Sequence, residues 1–457
     1  MSSLLPPDTL ALLQVLHREL RPAWPVAPEY TALVQPYRAA SVPENLRGRR
    51  AELIVEASDV AALRAALASD ADAVVIDFDD TFSPTRDNVW AAYDELPGLH
   101  TDKPLLVRPR ALYAVEPHLD FGGPGIAALC DLGVALAAWR DNPPHIYIPK
   151  LETVSEAHFW GEALTLAERH LGLSENSVRV CLQIETFAGL MNADALLHRL
   201  HGRAYGLNAG RWDYVFSLIK HLGERRTQPL PPRRDLTMDV DAMCAYAEEL
   251  VRVCRERGAE AIGGTASLAP DPANPGPALQ AVTLDKQREA AQGFTAAWAG
   301  LPELLDAVRE GFEDQSSVNV PAKVPAKVPA KQSDLYARLT QLPAPPFIPV
   351  EDVREALSIA LEVFAAWFGG RGVVTRKGRI EDTATAELAR AQLWQWVRVG
   401  AALDDGSTLS RERYLSERRE LLADSEQASQ LLDHLVLSAS CAAYFPREAQ
   451  RLSGGLR

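Results

Sequence analysis

The chain has 457 residues, 47% of them hydrophobic, and a formal net charge of −14. That is enough for a barrel of typical size plus one smaller domain, and the composition excludes a disordered or collagenous chain. The acidic balance makes nucleic acid a poor partner, because duplex binding relies on clustered Lys and Arg set against phosphates.

The N-terminal Met-Ser-Ser-Leu-Leu-Pro-Pro-Asp has no charged stretch followed by an apolar core. No apolar run approaches the roughly 18 residues of a membrane span, so neither secretion nor membrane insertion is expected. The five cysteines (Cys130, Cys181, Cys244, Cys254, Cys441) show no paired short spacing. They read as reduced thiols in a cytoplasmic setting rather than as a disulfide framework or a zinc site.

In chain order, residues 8–45 are rich in Leu, Ala and Pro and suggest a helical N-terminal clasp, taken as 1–48. β-rich runs follow at 52–56, 73–78, 104–108, 145–149, 178–184, 203–207 and 260–263, each separated from the next by helix-like stretches. Seven strands alternating with helices predict an α/β fold, a (β/α)8 TIM barrel over 49–314. Residues 320–331 repeat Val-Pro-Ala-Lys three times. Proline every fourth residue removes backbone donors and resists helix and sheet, so 320–331 is expected to be extended and semi-rigid, within a Pro-rich linker taken as 315–349. The remainder, 350–457, is Leu, Ala, Glu and Arg rich with 3.6-residue periodicity, and reads as a helical domain.

Two of the barrel segments deliver carboxylates. Val-Cys-Leu-Gln-Ile-Glu185 and Gly206-Leu-Asn-Ala-Gly-Arg-Trp-Asp213 flank the helix-like stretch 187–203, so in a parallel sheet both acids emerge on the edge where barrels keep their chemistry. Two oxygen ligands with room for water suit Mg²⁺. On spacing alone, ordinary strand-end residues, one capping a helix and the other bonded to Arg211, are the commoner explanation of such a pair. Asp79 and Asp80 follow another strand to the same edge, as supporting hydrogen-bond partners or simple loop residues. Arg225, Arg226, Arg233 and Arg234 suit either a phosphate-bearing ligand or a solvated loop.

The blocks Ile146-Tyr-Ile-Pro-Lys150-Leu-Glu152, Ile184-Glu185-Thr186, Gly206 to Tyr214, Glu260-Ala-Ile-Gly263-Gly264, Asp285-Lys-Gln-Arg-Glu289, Ile380-Glu381-Asp382-Thr-Ala-Thr-Ala-Glu387 and Gln392-Leu-Trp-Gln-Trp396 follow one another along the chain. Together they resemble the malate synthase family, in its shorter A type without a large inserted domain. The resemblance implies a barrel with a helical C-terminal domain, and condensation of glyoxylate with acetyl-CoA followed by hydrolysis to malate and CoA. It implies Mg²⁺ held by Glu185 and Asp213, Asp382 as the base that deprotonates the acetyl methyl, and Arg108 as the group that stabilises the enolate, with Arg110 as its neighbour. Arg108, Glu185, Gly210, Arg211, Trp212 and Asp213 become the expected substrate contacts, the Gly-containing loop letting backbone amides approach the glyoxylate carboxylate. Without the resemblance, Asp382 reads as a helix N-cap and Arg108 as an ion-pair partner.

Some positions depart from the family pattern: Ala209 stands where Cys is usual, Thr265 where Met is usual, and Phe78-Asp79-Asp80 replaces Phe-Glu-Asp. The repeat at 320–331 and the Pro-rich run 343–349 replace the usual lead-in to the C-terminal domain, so no acetyl-CoA contact is assigned there. Two alternatives stand beside the main reading: a carbon–carbon lyase of the citrate lyase β-subunit or malyl-CoA lyase type, and a non-catalytic metabolite-binding homologue. The sequence sets no oligomeric state.

Overall fold

The computed structural model describes residues 5–29, 36–313, 332–421 and 425–452; the Val-Pro-Ala-Lys repeat lies outside the described residues. The chain divides into two compact units. One comprises the described parts of Met1–Gly210, Leu250–Val324 and Lys377–Arg379, the other those of Arg211–Glu249, Pro325–Arg376 and Ile380–Arg457.

The first unit is a parallel barrel. Its strands are β1 (Ala51–Glu56), β2 (Ala73–Asp77), β3 (Leu105–Arg108), β4 (His145–Ile148), β5 (Val180–Ile184), β6 (Ala204–Ala209), β7 (Glu260–Ile262) and β8 (Ala297–Ala299). They pair in the order β8-β1-β2-β3-β4-β5-β6-β7. A bridge from Ile262 to Ala296, with Gly263 N donating to Ala296 O at 2.7 Å, closes β7 onto β8. The seven strands expected from the sequence are all present. The eighth, Ala-Trp-Ala, is three residues long and two-thirds alanine, too short and too weak in β character to stand out.

Runs such as Ala73-Val-Val-Ile are buried along their whole length, as strands covered on both faces must be. Each fully buried Val, Ile or Leu contributes about 1.5–3 kcal/mol. Register carries this core up to the mouth. Ile54, Val75 and Leu106 pair in one row and belong to the same core cluster as Tyr147, Cys181, Tyr205, Ile262 and Trp298. Two residues on, and so on the same face, the next row is Glu56, Asp77 and Arg108.

Among the described residues of 1–48, Pro7–Leu20 is the one α-helix, and it buries Leu12, Leu13, Leu16 and Leu20. It packs so closely on the helix Ala127–Ala138 that a Cβ added to Gly133 would stand 2.4 Å from Leu13 Cδ2. Beyond it Arg21–Ala23 and Glu44–Leu46 form single 3-10 turns, and Ala40 N donates to Ala204 O at 2.9 Å.

The second unit is mainly helical: Arg211–Gly223, Gln332–Leu339, Val350–Phe368, Thr383–Val399, Arg411–Glu420, Glu426–Val436 and Phe445–Leu452. Leu357, Phe364, Trp367, Leu393, Trp396, Leu431, Leu435 and Phe445 form its core. A fully buried ion pair, Arg390 to Glu387 at 2.6 Å, is completed by Phe445 N donating to Glu387. No helix among the described residues is long and apolar enough to cross a membrane.

Candidate active site

In the first unit the ends of β2, β3, β4 and β5 bring a charged cluster together at the mouth of the barrel. Arg108, the last residue of β3, donates from Nε and Nη2 to the two carboxylate oxygens of Asp77, both at 2.6 Å. Its Nη1 donates to Asp80 Oδ2 at 2.8 Å and to Gln183 Oε1 at 3.2 Å. Among the described residues four of the five guanidinium hydrogens are committed, and one on Nη2 is left for a ligand. Burial works against this charge, but Asp77 and Asp80 outweigh it and keep Arg108 protonated.

Lys150 follows β4 with φ at 53°, a left-handed backbone uncommon for a side-chain-bearing residue. That turn aims its N–H at Glu185 Oε1, 2.9 Å away, and its ammonium at Asp79 Oδ2 and Asp80 Oδ1, at 2.6 and 2.7 Å. Asp77, Asp79, Asp80 and Glu185 lie against Arg108 and Lys150, four carboxylates beside two cations. Burial pushes Glu185 up to about 7 against the pull of Lys150, and Asp79 up to about 6. An added positive charge would favour the ionised form of both acids.

Glu185 directly follows β5 and is fully buried. The next helix is capped by Thr186, so Glu185 is not spent on a cap. Its Oε2 has no hydrogen-bond partner among the described residues. A Cβ on Gly210 would fall 2.5 Å from Glu185 Cβ and 2.6 Å from that oxygen, so glycine is needed where the chain leaves β6. An orphaned buried oxygen, a space that a Cβ would fill, and all-oxygen donors fit a hard divalent cation. Asp80 and Glu185 each offer an oxygen within 4.8 Å of the other.

Arg110 belongs elsewhere. It is buried against Asp131, Glu116 and Tyr93 in a closed network of its own.

The second unit carries the remaining expected residues. Asp213 lies in the first turn of the helix Arg211–Gly223, not at a strand end, and is buried. The Arg211 guanidinium lies 4.1 Å from the centre of the Trp212 ring and donates to Leu236 O at 2.8 Å. Asp382 is the N-cap of the helix Thr383–Val399, accepting from Thr385 N at 3.2 Å while its own N–H donates to Thr385 Oγ1 at 2.9 Å. The cap reading of Asp382 thus holds in the structure, and it fixes the orientation of the side chain.

Lys150, Asp77 and Gln183 escaped the sequence reading as site residues. Asp77 had a signal, since strand alternation from Ala73 and Val75 carries it to the same face as the core row. Lys150 stood in a quoted block, but its left-handed turn is visible only in three dimensions.

Comparison with known proteins adds independent findings. Residues 104–338 match the family model for the malate synthase TIM barrel domain, and residues 348–433 that for the malate synthase C-terminal domain. The malate synthase of Myxococcus xanthus is 32% identical over 401 residues, covering 81% of this chain and 73% of that protein. That of Streptomyces clavuligerus is 34% identical over 410 residues, covering 82% and 75%. Among solved structures, a pyruvate/acetyl-CoA ternary complex of Haloferax volcanii malate synthase aligns with a TM-score of 0.55 at 15% identity, over 84% of this chain and 98% of that one. At that identity the likeness is one of fold.

Proposed function

The chain belongs to the malate synthase family, and from that premise we propose that it condenses acetyl-CoA with glyoxylate and hydrolyses the product to (S)-malate and CoA, the malate-forming step of the glyoxylate bypass. The family is one of enzymes, and a lyase of the citrate lyase β type is not favoured, because the malate synthase C-terminal domain is matched as well as the barrel. In this reading 49–314 supplies the barrel, 315–349 the linker and 350–457 the domain that carries the base, in a cytoplasmic enzyme with small-molecule partners.

Glu185 and Asp213 would hold Mg²⁺; the buried, unsatisfied Oε2 of Glu185 is the observation that carries this assignment. Held by those residues, the cation would supply Lewis acidity to the aldehyde. Arg108 presents its remaining N–H to the oxygen that gains charge when acetyl-CoA enolises, and its salt bridges to Asp77 and Asp80 hold the donor in place beforehand. Gly210 leaves room beside Glu185 for the glyoxylate carboxylate, with Arg211 and Trp212 as further contacts. Asp382 takes a proton from the acetyl methyl, and the resulting carbon attacks the aldehyde. Water then adds to the thioester carbonyl, the carbon–sulfur bond breaks, and CoA leaves as the thiol.

The test is malate formation from acetyl-CoA and glyoxylate by the purified chain, before and after chelation and with Mg²⁺ restored. Stoichiometric malate that vanishes on chelation and returns with Mg²⁺ supports the reading. Folded protein that makes no malate, or that makes it equally well without metal, rejects it.

A further inference from the structure

Of the four arginines at 225–234, three have protein acceptors. Arg226 donates to Thr340 O, Arg234 pairs with Asp352 at 2.9 Å, and Arg233 Nη1 donates to both carboxylate oxygens of Glu381, at 2.9 and 2.8 Å. Arg234 is 57% exposed, whereas the Arg233–Glu381 pair is 17% and 3% exposed. Arg233 therefore sits where a charge must be matched, and Glu381 matches it. On its other side the Arg233 guanidinium stands 4.5 Å from the centre of the Trp212 ring, whose partner Arg211 lies at 4.1 Å.

The sequence gives this arrangement its meaning. Glu381 immediately precedes Asp382, and Trp212 immediately precedes Asp213. One guanidinium thus touches the neighbour of the proposed base and the neighbour of the proposed metal ligand.

The loop that carries Arg233 is held from the helix Thr383–Val399 by the Gln392-Leu-Trp-Gln-Trp396 block. Leu230 N donates to Gln395 Oε1 and Gln395 Nε2 to Gln228 O, both at 2.9 Å. Gln392 Nε2 donates to Pro231 O at 2.8 Å and Trp396 Nε1 to Leu230 O at 2.7 Å. Gln392, Gln395 and Trp396 are buried, so each polar group there would be costly without its bond. Pro231 and Pro232 have no N–H, and the loop meets these donors chiefly with carbonyls. Burying two glutamines to fix a short loop is hard to explain by packing alone. It makes sense if the position of Arg233 matters.

We propose that Arg233 is a positioning residue that sets the Asp213 segment and the Asp382 segment against each other, the inference resting on the roles proposed above for those two acids. It acts on the rate of the chemical step and not on substrate affinity, since misplacing a reacting group by about 1 Å costs on the order of 100-fold.

The experiment measures kcat, KM for glyoxylate and deuterium exchange from solvent into the acetyl-CoA methyl, with Mg²⁺ present, in Arg233→Ala, Arg233→Lys, Glu381→Gln and the Ala/Gln double variant. The expected result is a fall in kcat of about 100-fold in Arg233→Ala with KM changed less than about threefold. Exchange falls in parallel, Lys restores part of the rate, and the double variant is no slower than the slower single one. Wild-type kcat in Arg233→Ala, a loss confined to KM, or additive losses overturn the proposal. If Arg233→Ala does not fold, Arg233→Lys and Glu381→Gln decide it by the same kcat criterion. Asp382→Asn with Arg233 intact is read separately: exchange persisting in that variant marks failure of the base assignment, not of the Arg233 inference.

Discussion

At Gly210 the space for one methyl group separates a usable carboxylate from a blocked one. A Cβ there meets Glu185 Cβ at 2.5 Å and Oε2 at 2.6 Å, and fully buried Glu185 has little room to move. Gly210→Ala is expected to cost about 1–3 kcal/mol in stability through overpacking and to lower malate formation at least tenfold. Thermal melting beside steady-state rates checks it, and an unchanged rate would remove Gly210 from the site. Lys150 gives a second test. Lys150→Met leaves Asp79 and Asp80 without their ammonium, and breaking a buried pair in this way costs about 3–5 kcal/mol. The melting temperature is expected to fall markedly at pH 8 and to recover in part near pH 5, where Asp79, already raised to about 6, takes up a proton and relieves the repulsion.

Among the elements, the N-terminal helix depends on a neutral histidine. His17 Nδ1 pairs with Leu13 O at 2.8 Å and Nε2 accepts from Ile126 N at 2.9 Å, so a second ring proton would oppose the Ile126 N–H. Burial lowers the His17 pKa from 6.5 to about 4. A depressed base adds stability above its unfolded pKa and loses it as pH falls, here between about 6.5 and 4. Amide exchange in Pro7–Leu20 is therefore expected to quicken over that window in the wild type and to change far less in His17→Asn; equal pH dependence in both would contradict this. The same element shows where sequence reading stops. Its leucines announced a helix, but 36–43 form no regular element, and Ala39 and Ala40 bond other segments through backbone N–H groups that composition does not encode. The strands were legible wherever Val, Ile and Leu ran together, and the Ala-Trp-Ala strand was not. Glu185 was legible as a strand-end acid, whereas Asp213 turned out to open a helix, because Arg-Trp-Asp-Tyr has no breaker to separate it from the following turn.

Across the whole chain, the residues of the proposed reaction are divided between the two units. Arg108, Glu185 and Gly210 belong to the barrel unit, and Asp213, Asp382 and Arg233 to the helical one. The barrel and the order of motifs could be read from the sequence because periodicity and short blocks are local. The cluster of Asp77, Asp80, Lys150 and Gln183 around Arg108 could not, because it joins residues up to 75 positions apart through strand register. The net charge of −14 leaves local positive charge to be supplied by a few buried cations and, in the proposed reaction, by Mg²⁺. The most direct measurement is CoA thiol release from acetyl-CoA with Mg²⁺, with and without glyoxylate, in the wild type and in folded Asp382→Asn. The account predicts glyoxylate-dependent release in the wild type, reduced by at least about 1000-fold in the variant, in line with the loss of a catalytic base. Absence of release from folded wild-type protein, or an undiminished rate in Asp382→Asn, would contradict it.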